Sequence, residues 1–132
     1  MNGRSLNLEL VPGNYAVCRL EGDEPPPAWA TTGPFVSVTR TDAELSIVCQ
    51  QELVPSEVRS EKGWRCLRVK GPLGFGMTGI LASLAGPLAG SGVSIFVVST
   101  YDTDYLMVQA RDLERAVNAL ERAGHAVERP PV

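Results

Sequence analysis

Two β-rich runs lie too close together for a helix to fit between them. Ser94 to Ser99 carries Ile95, Phe96, Val97 and Val98, and Tyr105 to Val108 follows after the turn Tyr101-Asp102-Thr103. A parallel pair needs a crossover of about a dozen residues or more, so these runs must form an antiparallel hairpin. The pattern on either side is then read around that hairpin. Upstream, Trp64 to Val69 alternates between Gly63 and Gly71 and reads as a strand. Thr78 is placed to cap a helix carrying Ile80, Leu81, Leu84 and Leu88, with Pro87 expected to kink or shorten its last turn and Gly90 and Gly92 to end it. Downstream, Asp112 is placed to cap an amphipathic helix. Leu113, Ala116, Val117 and Leu120 form its apolar side, and Glu114, Arg115, Glu121 and Arg122 face outward. Gly124 stops it, and Ala126 to Glu128 makes a short last strand. The order is βαββαβ, the split ferredoxin-like pattern.

The first half reads as a worn copy of the second. Shifted by 60 positions, Val38-Thr39 falls on Val98-Ser99, Asp42 on Asp102, Ile47-Val48 on Met107-Val108, Glu52-Leu53 on Asp112-Leu113, Pro12 on Pro72 and Tyr15 on Phe75. Agreement at one fixed offset carries more weight than any single match. The helices of this copy are reduced: Pro25 to Ala30 allows one or two turns, and Gln51 to Val54 little more. Tyr15 to Leu20 alternates like an added strand. The expectation is an α+β chain of two tandem βαββαβ subdomains, residues 1–61 with reduced helices and residues 62–132 complete.

With 132 residues and 44% hydrophobic content, the chain can bury a core. Its net charge of -3 comes from mixed charges without a basic stripe, which argues against a nucleic-acid partner. The longest apolar stretch, Gly79 to Val98, is interrupted by Gly86, Pro87, Gly90, Ser91 and Gly92, so no membrane helix is expected there. Met1 to Arg4 is polar and does not read as a signal peptide, leaving the cytoplasm as the expected compartment. Cys18, Cys49 and Cys66 are far apart and read as buried thiols rather than metal or redox groups. His125, the single histidine, follows Gly124 and is expected to interact with the dipole at its helix end. No catalytic set, metal site or cofactor is expected.

Gly74-Phe75-Gly76-Met77-Thr78-Gly79 matches the G-x-G-x-x-G dinucleotide fingerprint, and Asp102 sits near where such a fold places its ribose-binding acid. Topology argues against that reading. A dinucleotide fold feeds its second strand into another crossover helix, whereas here the strand turns straight back. The same physics suits another ligand. N–H groups of Thr78, Gly79, Ile80 and Leu81 at a helix start can receive a carboxylate, and Asp102 and Asp104 can hold an ammonium or guanidinium. A zwitterion such as an amino acid matches both ends. Glycines for a tight turn and aspartates for a hairpin explain the same residues equally well.

Three segments resemble the ACT-domain family: Gly63-Trp64-Arg65-Cys66-Leu67-Arg68-Val69, Phe75-Gly76-Met77-Thr78-Gly79-Ile80-Leu81 and Ser99-Thr100-Tyr101-Asp102-Thr103-Asp104-Tyr105. The resemblance is to its small tandem branch, similar to the CASTOR arginine sensors and to the regulatory ACT pair of aspartate kinases. Leu8 to Gly13, Tyr15-Ala16-Val17 and Phe35 to Thr39 fit that branch too. The resemblance implies a non-catalytic protein that binds a free amino acid between paired domains. Its site would use Gly74, Phe75, Gly76, Met77, Thr78, Gly79, Ile80 and Leu81 with Ser99, Thr100, Tyr101, Asp102 and Asp104. The facing copy would add Val36, Val38 and Thr39. The arginine sensors carry acidic residues at the helix start, where this chain has Gly76 and Met77, which implies a smaller or less basic ligand. The resemblance also implies side-by-side sheets in a homodimer. A second reading is an assembly module without ligand that works through oligomerisation or a partner enzyme.

Overall fold

A computed structural model describes residues 5–71 and 78–130. The strands are β1 (Asn7–Leu20), β2 (Ser37–Arg40), β3 (Leu45–Gln50), β4 (Arg59–Val69), β5 (Ile95–Ser99), β6 (Asp104–Gln109) and β7 (Ala126–Glu128). The α-helices are α1 (Ile80–Gly90) and α2 (Leu113–Arg122). Single 3₁₀ turns occupy Ala28–Ala30, Gln51–Leu53 and Ala110–Asp112. The chain forms two compact units, one of Pro12–Trp64 and one joining Met1–Val11 to Arg65–Val132. The expected boundary at residues 61 and 62 therefore falls inside β4, and the start of β1 groups with the second half of the chain.

In the larger, helical unit β5 and β6 form the antiparallel hairpin, with Ile95 opposite Val108 and Ser99 opposite Asp104. β6 neighbours β4. The first residues of β1 run parallel to β7, Asn7 opposite Ala126 and Glu9 opposite Glu128. Asn7 C=O also accepts from Lys70 N–H at 2.8 Å, so this segment lies between β7 and β4. The βαββαβ order is present, with one extra strand inserted at its closing edge. Leu6, Leu8 and Leu10 explain the insertion, because their alternation buries all three in one core with Leu67, Val69, Leu106 and Val108. Ile80, Leu84 and Leu88 of α1 and Leu113, Ala116, Val117 and Leu120 of α2 close that core. Leu81, expected on the apolar stripe, is instead 41% exposed.

Three local expectations are corrected. Thr78 does not cap α1; Gly79 holds the N-cap at φ 76°, a left-handed conformation suited to glycine. Asp112 occupies the N-cap of α2, but its carboxylate pairs with Arg115 at 2.5 Å rather than with a backbone N–H. Pro87 does not shorten α1, which runs on to Gly90. Proline has no N–H for the carbonyl four residues back, here that of Ser83. His125 supplies the missing partner: its Nε2 lies 3.0 Å from Ser83 C=O, while its Nδ1 accepts from Leu6 N–H at 3.1 Å. The ring is buried between these two groups and does not lie over its own helix end as expected. The backbone of His125 does close α2, donating to Leu120 C=O beside Gly124 at φ 98°.

In the smaller, reduced unit β3 pairs antiparallel with β2 and with the Tyr15–Leu20 part of β1. That part was expected as a separate strand, but it is continuous with the first residues of β1. Ala16, Cys18, Leu45, Ile47 and Cys49 share one face and are covered by Ala30, the last residue of the first 3₁₀ turn, and Val54, just after the second. Gly22 allows a close approach, since a Cβ there would lie 2.9 Å from Asp42 C=O.

The two hairpins repeat at an offset of 59, not 60. Ser37 opposite Val48 and Arg40 opposite Leu45 map onto Phe96 opposite Met107 and Ser99 opposite Asp104. Thr41 and Thr100 fix the slip. Thr41 N–H donates to Glu44 C=O at 2.9 Å, and Thr100 N–H to Thr103 C=O at 2.8 Å. Each threonine Oγ1 also accepts the N–H three residues on, at 3.1 and 3.3 Å. Identical letters, Asp42 and Asp102, suggested the wrong offset, whereas the turn-capping threonines set the register.

Candidate functional site

The candidate site gathers where β4 ends and the β5–β6 hairpin turns. Gly74, Phe75, Gly76 and Met77 lie outside the described residues. Beyond them Thr78 and Gly79 are exposed, Ile80 enters the core and Leu81 faces outward. The first bond of α1 runs from Ser83 N–H to Gly79 C=O at 3.0 Å, so the N–H groups of Ile80 and Leu81 precede the helical ladder. A carboxylate placed there would meet donors and the positive end of the helix dipole.

On the hairpin, Ser99 Oγ donates to Asp104 Oδ1 at 2.6 Å, which orients the half-buried carboxylate. Asp102 is exposed, and Tyr101 is 81% exposed at the tip. Thr103 turns the other way. Its side chain is 4% exposed and its Oγ1 donates to Val69 C=O at 2.6 Å, at the end of β4. Thr103 was not among the expected site residues. The signal that could have found it is its spacing from Thr100, two hydroxyl residues bracketing a two-residue tip. Val36, Val38 and Thr39 belong to the reduced unit. Val36 packs against that unit's core, while Val38 and Thr39 are exposed on β2.

The cysteines have a clear electrostatic character. Burial pushes the Cys66 thiol up to about 12, and burial with the neighbouring Cys49 does the same to Cys18. Cys49 is also raised, again chiefly by burial. Uncharged thiols at neutral pH are poor nucleophiles and poor metal ligands. The β5–β6 turn likewise removes the crossover helix that a dinucleotide site requires. An open cavity of about 340 Å³ in the reduced unit, lined by Arg19, Glu21, Glu24, Glu57 and Arg59 among others, holds none of the expected site residues.

The fold is α+β and ferredoxin-like, with a glycine at the N-cap of α1 and Asp102 and Asp104 on the β5–β6 hairpin. An ACT-domain model matches residues 59–122, and a second model, of an N-terminal domain, matches residues 13–57. The cytosolic arginine sensor for mTORC1 subunit 1 of Rattus norvegicus is 35% identical over 101 residues, covering 70% of this chain and 30% of that protein. This chain thus spans about a third of the length of the curated relatives it matches. The crystal structure of protein Atu0741 from Agobacterium tumefaciens is 44% identical with a TM-score of 0.93, covering 98% of this chain and 97% of that one. Aspartate kinase of Clostridium acetobutylicum shares the fold at 13% identity and a TM-score of 0.66, over 91% of this chain and 35% of the kinase. The chain belongs to the ACT-domain family.

Proposed function

We propose that this chain is a non-catalytic regulatory protein of the cytoplasm that binds a free amino acid or a similar small zwitterion. The reading rests on one arrangement: donors at the start of α1 for a carboxylate, and Asp102 and Asp104 on the β5–β6 hairpin for an ammonium group. Membership of the ACT-domain family and the similarity to an arginine sensor support it. The sequence carries Gly76 and Met77 where the resemblance to the arginine sensors would call for acids, so the ligand is smaller or less basic than arginine. Two chains associate as a homodimer.

A second reading, an assembly module that binds no ligand, has one observation in its favour. β5 ends the strand order of its sheet, and Ile95 to Val98 are all apolar and only half-buried there. A melting panel separates the two. A ligand at 100 times its Kd adds about 2.7 kcal/mol of stability. At least one common amino acid at millimolar concentration is expected to raise the melting temperature. A flat panel, with an unchanged dimer, would favour the assembly module.

A further inference from the structure

We propose that the open cavity of the reduced unit binds a ligand of its own, a small zwitterion whose ammonium and carboxylate lie several bonds apart. The cavity lies wholly within Pro12–Trp64 and does not depend on the amino-acid-binding reading. Two segments line it: the end of β1 with the turn that follows, and the short approach to β4. Both are set by backbone bonds. Glu24 N–H donates to Glu21 C=O at 3.1 Å, and Val58 N–H to Pro55 C=O at 3.1 Å. Arg40, at the end of β2, donates to the C=O of Gly22 and, at 2.9 Å, to that of Glu24. Gly22 also sits so close to the β2–β3 turn that a Cβ would meet Asp42 C=O at 2.9 Å. The first segment is thus held by its backbone, which leaves the Glu21 and Glu24 side chains exposed.

The charges around the cavity divide into engaged and unengaged groups. Arg19 is engaged, donating to Ala43 C=O at 2.9 Å and pairing with Glu21 at 3.4 Å. Glu24, Glu57 and Arg59 make no ion pair among the described residues. Between the segments stand Leu20 and Val58, which pack against the core of the unit and give the cavity an apolar base. An ion of one sign would meet a partner on one side and a like charge on the other, whereas a zwitterion satisfies both. An α-amino acid holds its two charges on one carbon and leaves the apolar base uncovered. A chain of methylenes between the charges covers Leu20 and Val58, with the ammonium at Glu24 and Glu57 and the carboxylate at Arg59. The volume of about 340 Å³ is at the small end for ligand sites and suits such a molecule.

The test compares γ-aminobutyrate with α-aminobutyrate, isomers with the same atoms and charges that differ only in where the ammonium stands. Each is titrated into the ¹⁵N-labelled chain and read by amide chemical shifts. γ-Aminobutyrate should give saturable shifts at residues 19–24 and 57–59, with a millimolar Kd because exposed ion pairs contribute little each. α-Aminobutyrate should bind there about fivefold more weakly, since one of its charges goes unmatched. Butylamine and butyrate, with one charge each, should weaken similarly. Arg59→Gln should weaken γ-aminobutyrate by about two- to fivefold, and so should Glu24→Gln combined with Glu57→Gln, which keeps the second acid from taking over. All three positions are exposed, so the melting temperature should stay at the parent's value. Equal affinity of the two isomers at these residues, or no shift there with either, would overturn the proposal. So would weakening by only one of the two variants: Arg59→Gln alone would mean a plain anion site, and the paired glutamine change alone a plain cation site.

Discussion

The β2–β3 and β5–β6 hairpins pair in the same register, turn on the same threonine and end in the same single-turn 3₁₀ segment, but the chain beyond them differs. After Ala110–Asp112 it continues into the ten residues of α2, while after Gln51–Leu53 it goes on towards β4 without an α-helix. Among the described residues, the helical unit covers its sheet with two helices and buries sixteen residues in one cluster, against seven in the reduced unit. A hairpin's register is thus a local matter, settled by its turn, whereas the unit's stability depends on what the flanking chain lays over the sheet. The helical unit also carries the more constrained polar groups: Thr103 tied to Val69, and His125 held between Leu6 and Ser83.

The strongest way to break this comparison is to cut equivalent core residues. Leu106 and Ile47 are related by the offset of 59, and both are fully buried. Truncation to alanine costs about 2–5 kcal/mol, more where the surroundings cannot collapse. Leu106→Ala, beneath two helices, should lose more stability in denaturant unfolding than Ile47→Ala beneath single turns. The reverse order would mean that the reduced unit dominates stability.

A somewhat smaller effect tests the histidine bridge. His125→Ala should cost about 1–3 kcal/mol by leaving a buried N–H and a partly buried C=O unpaired. Adding Pro87→Ala to that variant restores an N–H four residues after Ser83 and should recover part of the loss. The same change in the parent should recover less, giving a coupling on the order of 1 kcal/mol in the double-mutant cycle. Additive effects would show that His125 does not replace the bond Pro87 cannot make.

The smallest effect concerns the thiols. A thiol raised by burial favours folding fully below its unfolded value of 9.0, and that contribution is lost as pH rises towards about 12. Thiol-labelling reagents at pH 8 should leave Cys18 and Cys66 unmodified in the folded protein and modify them after unfolding. Rapid labelling of the native chain would contradict their burial.

Much of this was legible in the residues, and the failures are instructive. The β5–β6 hairpin, α2 and β7 followed from strand spacing, amphipathic period and Gly124, because each depends on neighbours in sequence. The place of β1 between β7 and β4 did not, since nothing local tells Leu6, Leu8 and Leu10 which half of the chain they will pack in. Pro87 misled for a related reason. The expectation that it would shorten α1 held only if Ser83 C=O had no other partner, and His125 comes from 42 residues away. Within the site, Asp102, Asp104 and the α1 start could be proposed from residue type, whereas the inward turn of Thr103 depended on β4 ending beside it.

The central claim is that a small zwitterion sits between the start of α1 and the acidic hairpin. A titration of the ¹⁵N-labelled chain with single amino acids, read by amide chemical shifts, tests it most directly. Saturable shifts are expected for one or more of them, concentrated at Thr78 to Leu81 and Ser99 to Asp104. Shifts confined to the cavity around Arg19 and Arg59, or none with any amino acid at millimolar concentration, would contradict it.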